Sequence, residues 1–182
     1  MRDDDADYRM VFEWLSDPLV AEWYGGRDTV RTFESTREKY RARLGGSTTA
    51  TIILHGGEPV GFLQFTALDH SDEVETAEEL GLDDPAGAFA IDLYIGEPSL
   101  WGKGIGSRAI ATFTRWLFDE RDATVVFADP RVANPRSIRA FEKTGYTKVR
   151  ILPGHERHEG RDEDCWLMEA RSAPASGIHS GP

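Results

Sequence analysis

The sequence predicts a single α/β (α+β) domain, and three observations carry that expectation. Apolar residues recur at helical spacing in the N-terminal part; "TATIILHGGEPVGFLQFTAL" reads as two strands around a turn; and the remainder alternates between strand and helix patterns. A chain of 182 residues suits one compact core, expected over residues 1–171. The C-terminal "SAPASGIHSGP" is small and polar and is expected to be a disordered tail.

Each element follows from local chemistry. "YRMVFEWL" has a helical stripe, and "SDP" breaks it and starts a second helix that stops at Gly25 and Gly26. "TFESTREKYRARLGG" is a third helix, with Thr32 as N-cap, Ser35 three residues on, and Gly45 and Gly46 at its end. The "HGGEP" turn joins two strands, and residues 69–85, rich in Asp and Glu, form a long excursion. "AFAIDLYIG" is a strand, and a helix through about Glu120 follows the glycine loop. "ATVVFADP" is a buried strand. A short helix then runs from Pro135 to Thr144, with Asn134 as N-cap and Gly145 beyond its end. "YTKVRIL" and "CWLMEAR" are a final strand pair joined by a charged loop.

Composition excludes several function classes. A net charge of −11 and a pI near 4.9 argue against nucleic acid, whose phosphates repel such a field, and suit a cationic ligand. No uncharged apolar run approaches the ~20 residues of a membrane span, and "MRDDDAD" lacks the regions of a signal peptide, so a cytoplasmic protein is expected. The single cysteine, Cys165, excludes an internal disulfide framework and reads as a half-buried strand residue. His155 and His158 in "HERHEG" read as part of a solvated hairpin loop, since no further metal ligands are evident; no metal is expected.

Function concentrates in "EPSLWGKGIGSRAIATFTRWLF". A nucleotide-hydrolase loop would need Lys followed by Ser or Thr, where Ser107 and Arg108 stand, and a dinucleotide fingerprint would sit in the first strand–helix turn. The remaining reading is an anion site, in which glycines admit a phosphate to the unpaired N–H groups of a helix start, and a pyrophosphate fits. A glycine turn that only starts the helix is the plain alternative.

The order strand, glycine loop, long helix, strand, short Asn-capped helix and strand pair resembles the GNAT-type N-acetyltransferases. With "WYGGRD", "AIDLYIGEPSLWGKGIGSR", "ADPRVANPRSIRAFEKTGY" and "LPGHERHEGRDEDCWLME", the chain is similar to the aminoglycoside 6′-N-acetyltransferases, above all to the acetyltransferase half of the bifunctional acetylating and phosphorylating enzyme, from about Asp5 to Arg171. The resemblance implies a GNAT fold, with a mixed central sheet flanked by helices, and acetyl-CoA as co-substrate. The donor would be held by Trp101, Gly102, Lys103, Gly104, Ile105, Gly106 and Ser107 of the loop. Leu93 and Ile95 of the preceding strand, and Asn134 and Phe141 of the short helix, would complete its site. The implied acceptor is an aminoglycoside. Asp92 would bind its ammonium and act as candidate base, Asp129 would contact a second amine, and Trp23, Tyr24 and Tyr94 would line the pocket.

The residues alone also permit plainer roles: Asp92 as a solvent-facing strand residue, Asp129 as an Asp-Pro turn former, Trp23 and Tyr24 as core. Three departures stand out. "MRDDDAD" leaves almost no residues for the family's first strand, so that strand is absent or the chain starts upstream. Trp101 replaces the usual Gln or Arg. Phe141 occupies the place of a Tyr that often protonates the departing sulfur, and a phenyl ring cannot donate; the proton would come from water, Tyr94 or Tyr146, or be unnecessary. Another amine acceptor, or a non-catalytic acyl-CoA or antibiotic binder, remains an alternative function, and the oligomeric state is not encoded in any motif.

Overall fold

A computed structural model of the chain describes residues 1–44, 46–70 and 74–173. Helix α1 (Asp5–Ser16) is capped by the Asp4 carboxylate and buries Tyr8, Val11, Trp14 and Leu15. Asp17 ends α1 and caps α2 (Pro18–Trp23), whose proline occupies the first turn, where no N–H is needed. The Thr32 and Ser35 side chains form a capping box that opens α3 (Phe33–Arg41). These helices cover one face of the sheet, in a cluster that includes Val11, Val20, Tyr40, Phe62 and Tyr94.

The sheet has six strands: β1 (Thr48–His55), β2 (Glu58–Ala67), β3 (Ala88–Ile95), β4 (Val125–Ala128), β5 (Thr147–His158) and β6 (Arg161–Arg171), in spatial order β1-β2-β3-β4-β6-β5. Only β3 and β4 run parallel, so the sheet is mixed, as the sequence led one to expect. Helices α5 (Ile105–Glu120) and α6 (Pro135–Glu142) cover the opposite face, burying Ile110, Leu117, Ile138 and Phe141 against Ile91, Val126 and Met168.

One feature of the sheet creates the site. Strand β3 pairs with β4 only over Ala88–Ala90 and Val125–Phe127, yet β3 continues to Ile95. Beyond Ala90 the ladder stops, β4 itself ending at Ala128, and the side of β3 that faces β4 has no ladder partner among the described residues. A backbone edge of this kind must find partners in a ligand or water.

Four expectations change. Residues 69–85 include a short helix, α4 (Val74–Glu79). The charged loop between the last strands is a tight turn, because Glu159 and Gly160 both take positive φ (46° and 76°), the combination that matches strand twist in a two-residue hairpin. His158 consequently lies buried in β5 and is not in a solvated loop. Helix α3 ends at Arg41, short of the predicted glycines, of which Gly45 lies outside the described residues. No strand precedes α1 among the described residues; β1 is the sheet edge, and the Met1 amino group donates to Ala50 O at 3.0 Å. Most of the predicted disordered tail, residues 174–182, also lies outside the described residues, and no helix among them is long and apolar enough to cross a membrane.

Candidate active site

Beside the unpaired part of β3 lies a cleft of about 420 Å³ walled by β3, the loop before α5, α6 and the end of α2. At one side, Gly102 and Gly104 adopt φ of 75° and 76°, a region that other residues enter only with strain, and Gly104 is the N-cap of α5 without a side-chain cap. The first helical bond is donated by Arg108 N–H to Gly104 O at 3.0 Å, so the N–H groups of Ile105, Gly106 and Ser107 stand outside the ladder, at the positive end of the helix. A Cβ at Gly102 would meet nothing within 4 Å, so the space before the loop is open. Trp101 fixes the loop to the sheet: its Nε1–H donates to Ile95 O at 2.8 Å, and the Arg136 guanidinium lies 4.1 Å over its ring. This anchoring role accounts for tryptophan at a position where the resemblance led one to expect Gln or Arg.

At the other side, alternation along β3 turns Asp92 and Tyr94 toward α1, α2 and α3, and Ile91 and Leu93 toward the opposite core. Tyr24 and Tyr94 line the cleft, whereas Asp92 and Asp129 do not. The Tyr24 hydroxyl donates to Asp92 Oδ2 at 2.6 Å, and Gln64, directly opposite on β2, donates to the same oxygen at 3.5 Å. Arg43 in turn donates to Gln64 Oε1. Burial pushes the Asp92 carboxyl up to about 6; the Tyr24 bond opposes this, the charge of Asp129 adds to it, and Arg43 counters it. Burial and the adjacent Asp92 raise the Tyr24 hydroxyl well above its ordinary value, so it remains a donor.

Further carboxylates gather at this side. Asp129, just past the end of β4, is exposed and lies 3.1 Å from His155 Nε2. Glu156 is raised above its ordinary value by burial, against the pull of Arg131 and with the push of Asp129 and Asp92. Such a group of anions suits a ligand bearing several ammonium groups.

Residues 3–152 match the acetyltransferase (GNAT) domain. The chain belongs to the GNAT acetyltransferase family. The aminoglycoside N(6′)-acetyltransferase type 1 of Klebsiella pneumoniae is 32% identical over 150 residues, 79% of this chain and 71% of that protein, and the Serratia marcescens protein of the same name matches equally. The fold superposes on AAC(6′)-Ib in complex with ribostamycin and coenzyme A with a TM-score of 0.76 at 28% identity, covering 92% of this chain and 89% of that one. For the same enzyme with coenzyme A and kanamycin the TM-score is 0.74 at 27% identity, covering 92% and 90%.

Of the donor residues expected for this GNAT domain, Leu93, Ile95, Trp101, Gly102, Gly104, Ile105, Gly106, Ser107 and Asn134 all line the cleft, as do the acceptor candidates Trp23, Tyr24 and Tyr94. Asn134 also caps α6, accepting from Ser137 N–H at 3.1 Å. Lys103 is exposed beside the cleft without lining it. Phe141 is a correction: 3% exposed and edge-on to Tyr146, it belongs to the core and not to the cleft wall. Tyr146 cannot serve the sulfur either, since its buried hydroxyl is bonded to Thr114 Oγ1 at 2.8 Å. Cys165 is fully buried, its thiol pushed up to about 12 by burial, which suits packing and not nucleophilic attack.

The sequence reading missed the residues that tie α2 to the β5–β6 hairpin. Arg131, 6% exposed, donates to Glu163 at 2.9 Å and to the carbonyls of Glu22 and Trp23 at 3.0 and 3.3 Å, and approaches Glu156 at 3.5 Å. It ties the C-terminal end of α2 to the β5–β6 hairpin. Arg27 adds a two-pronged bond to Glu159 at the hairpin tip, at 2.6 and 2.8 Å, which holds the Glu159 carboxyl down at about 2. The only available signal was the alternation of Arg with Glu and Asp between residues 156 and 164, which without the fold reads as a solvated face.

Proposed function

We propose that this protein transfers the acetyl group of acetyl-CoA to the 6′ amine of an aminoglycoside by direct attack within a ternary complex. The observation that carries this reading is the meeting of two unlike features at one cleft: unpaired helix-start amides at one side, and at the other the lining residue Tyr24, whose hydroxyl bonds the half-buried Asp92 carboxylate beyond the lining. The solved relatives bound to coenzyme A and to ribostamycin or kanamycin support the same pairing of ligands.

In this reading the donor's diphosphate sits on the N–H groups of Ile105, Gly106 and Ser107, and its pantetheine arm pairs with the open edge of β3 between Leu93 and Ile95. The thioester then points toward Asp92. An aliphatic amine arrives protonated at neutral pH and must lose that proton before its lone pair can attack. Asp92, with its carboxyl near 6, is ionised at pH 7.5, attracts the ammonium, and is a better proton acceptor than an ordinary aspartate. Attack of the amine on the thioester carbonyl forms the carbon–nitrogen bond, and as the carbon–sulfur bond breaks to release a thiolate the nitrogen gives its second proton to water, leaving the neutral amide. The thiolate takes its proton from water or from Tyr94, whose buried hydroxyl has no hydrogen-bond partner among the described residues. Asp129 and Glu156 hold amines remote from the reaction.

Thiol release with kanamycin as acceptor tests the reading. Release should require the drug and yield one acetyl group, on the 6′ nitrogen, while an analogue with a hydroxyl at that carbon should be turned over poorly or not at all. Acetylation of polyamines but of no aminoglycoside would replace the proposed acceptor.

A further inference from the structure

Helix α6 presents Arg136, Arg139, Ala140 and Lys143 to the cleft, the i, i+3, i+4, i+7 spacing of one helical face. The three cations differ in their surroundings. Arg136 is held at the start of the helix, between the Trp101 and Trp23 rings at 4.1 and 5.4 Å. Arg139 and Lys143, one and two turns further along, have no carboxylate partner among the described residues, although Asp and Glu outnumber Lys and Arg by 32 to 21 in the chain. Glu142, the single acidic residue of α6, faces Lys148 at 2.9 Å. A basic pair lining a cleft of an acidic protein, left without counter-ions, is a site for an external anion.

Which anion follows from the direction of the cleft, on the proposed reading that acetyl-CoA is the donor. With the diphosphate at the start of α5 and the thioester toward Asp92, the remaining substituent of the diphosphate, the adenosine, must extend the other way. The distal part of α6, through Arg139, Ala140 and Lys143, lines the same cleft as the start of α5. From Arg136 to Lys143 the helix rises about 10 Å, enough to pass from the diphosphate to the ribose. Ala140 between the cations leaves room for a flat ring. We propose that Arg139 and Lys143 bind the 3′-phosphate of the donor's adenosine, making the enzyme selective for coenzyme A over its 3′-dephospho form.

Calorimetric titration of the full chain with coenzyme A and with 3′-dephospho-coenzyme A tests this. The wild type should bind coenzyme A about 10-fold to 100-fold more tightly, the range for charge-assisted bonds to a phosphate. In the Arg139→Gln, Lys143→Gln double variant that ratio should collapse toward one, through loss of coenzyme A affinity alone, with the affinity for the dephospho form kept. The charge-preserving Arg139→Lys, Lys143→Arg variant should retain most of the selectivity. Equal affinities in the wild type, equal weakening of both ligands in the neutral variant, or selectivity that survives neutralisation would each overturn the assignment. Failure of the wild type to bind either nucleotide would remove the donor reading itself, and this site with it.

Discussion

The two sides of the cleft are built by opposite means. The donor side is backbone: residues 101–107, contiguous in the chain, offer amides at a helix start, and glycine conformation sets their geometry. The proposed acceptor side is made of side chains, with Tyr24, Gln64, Asp92, Asp129 and Glu156 coming from the end of α2, β2, β3, the end of β4 and β5. A ligand common to a whole family can be held by features that any side chain leaves intact, whereas a particular acceptor has to be recognised by atoms that substitution can change. The glycine loop of the donor side should therefore be brittle toward backbone changes and indifferent to most changes of its own side chains, and the acceptor side the reverse.

The largest effect should come from Gly104→Val. A β-branched residue at φ near 76° would force the N-cap out of its left-handed conformation and turn the helix-start amides away from the diphosphate. The introduced Cβ would meet only the flexible Arg108 guanidinium at 3.3 Å, so the fold should survive. Calorimetry should find no acetyl-CoA binding to a folded variant; unchanged affinity would show that the donor does not use this loop.

Next is Asp92→Asn, which keeps the shape and removes the base. Turnover should fall by a factor of about 10² to 10⁴, with acetyl-CoA affinity unaltered. The same change should raise stability in alkaline solution. Because the folded carboxyl near 6 lies above its ordinary 3.8, the folded state binds the proton more tightly, and wild-type stability declines as pH rises through that interval. The asparagine variant avoids this loss, so it should melt higher than wild type at pH 8 and alike at pH 3.5, provided both remain folded there. Wild-type turnover in the variant would move the acceptor amine away from Asp92.

How much of each side could be read in the sequence follows from the same contrast. Gly102, Gly104, Asn134 and the capping box of Thr32 and Ser35 act within a few residues of themselves, so local pattern was sufficient. Asp92 was legible because a carboxylate in mid-strand is costly unless something answers it, but its partners were not: Tyr24 lies 68 residues away and Gln64 lies 28 away. Phe141 shows the opposite failure. Position in a motif suggested the cleft, and burial on the core side of α6 decided otherwise.

Arg131 extends the comparison to stability. Its Arg131→Met variant would leave two helix carbonyls and Glu163 without their donor, and the hairpin would lose its tie to α2. The cost should be about 3 kcal/mol, the low end for a broken buried pair, because Glu156 and Glu163 keep some contact with water. Urea unfolding would measure it, and the Michaelis constant for the aminoglycoside should rise while that for acetyl-CoA changes little. An equal rise in both constants would mean that the hairpin supports the whole cleft.

The smallest effect separates two roles for one hydroxyl. Tyr24 touches Asp92 at 2.6 Å and also lines the cleft, so it either sets the basicity of Asp92 or contacts the acceptor itself. Its bond favours the ionised carboxylate and therefore works against the burial that lifts Asp92 toward 6. Tyr24→Phe removes the bond but keeps the ring, which packs on Tyr94 at a centroid distance of 4.5 Å. If the hydroxyl tunes Asp92, the acidic limb of kcat/KM should move upward by about one pH unit, the equivalent of one such bond. At pH 8, where Asp92 is ionised in both proteins, rates should then differ only a few-fold. A uniform fall across the profile with an unmoved limb would instead mean that the hydroxyl serves the acceptor directly, and the basicity of Asp92 would be set by burial, Asp129 and Arg43.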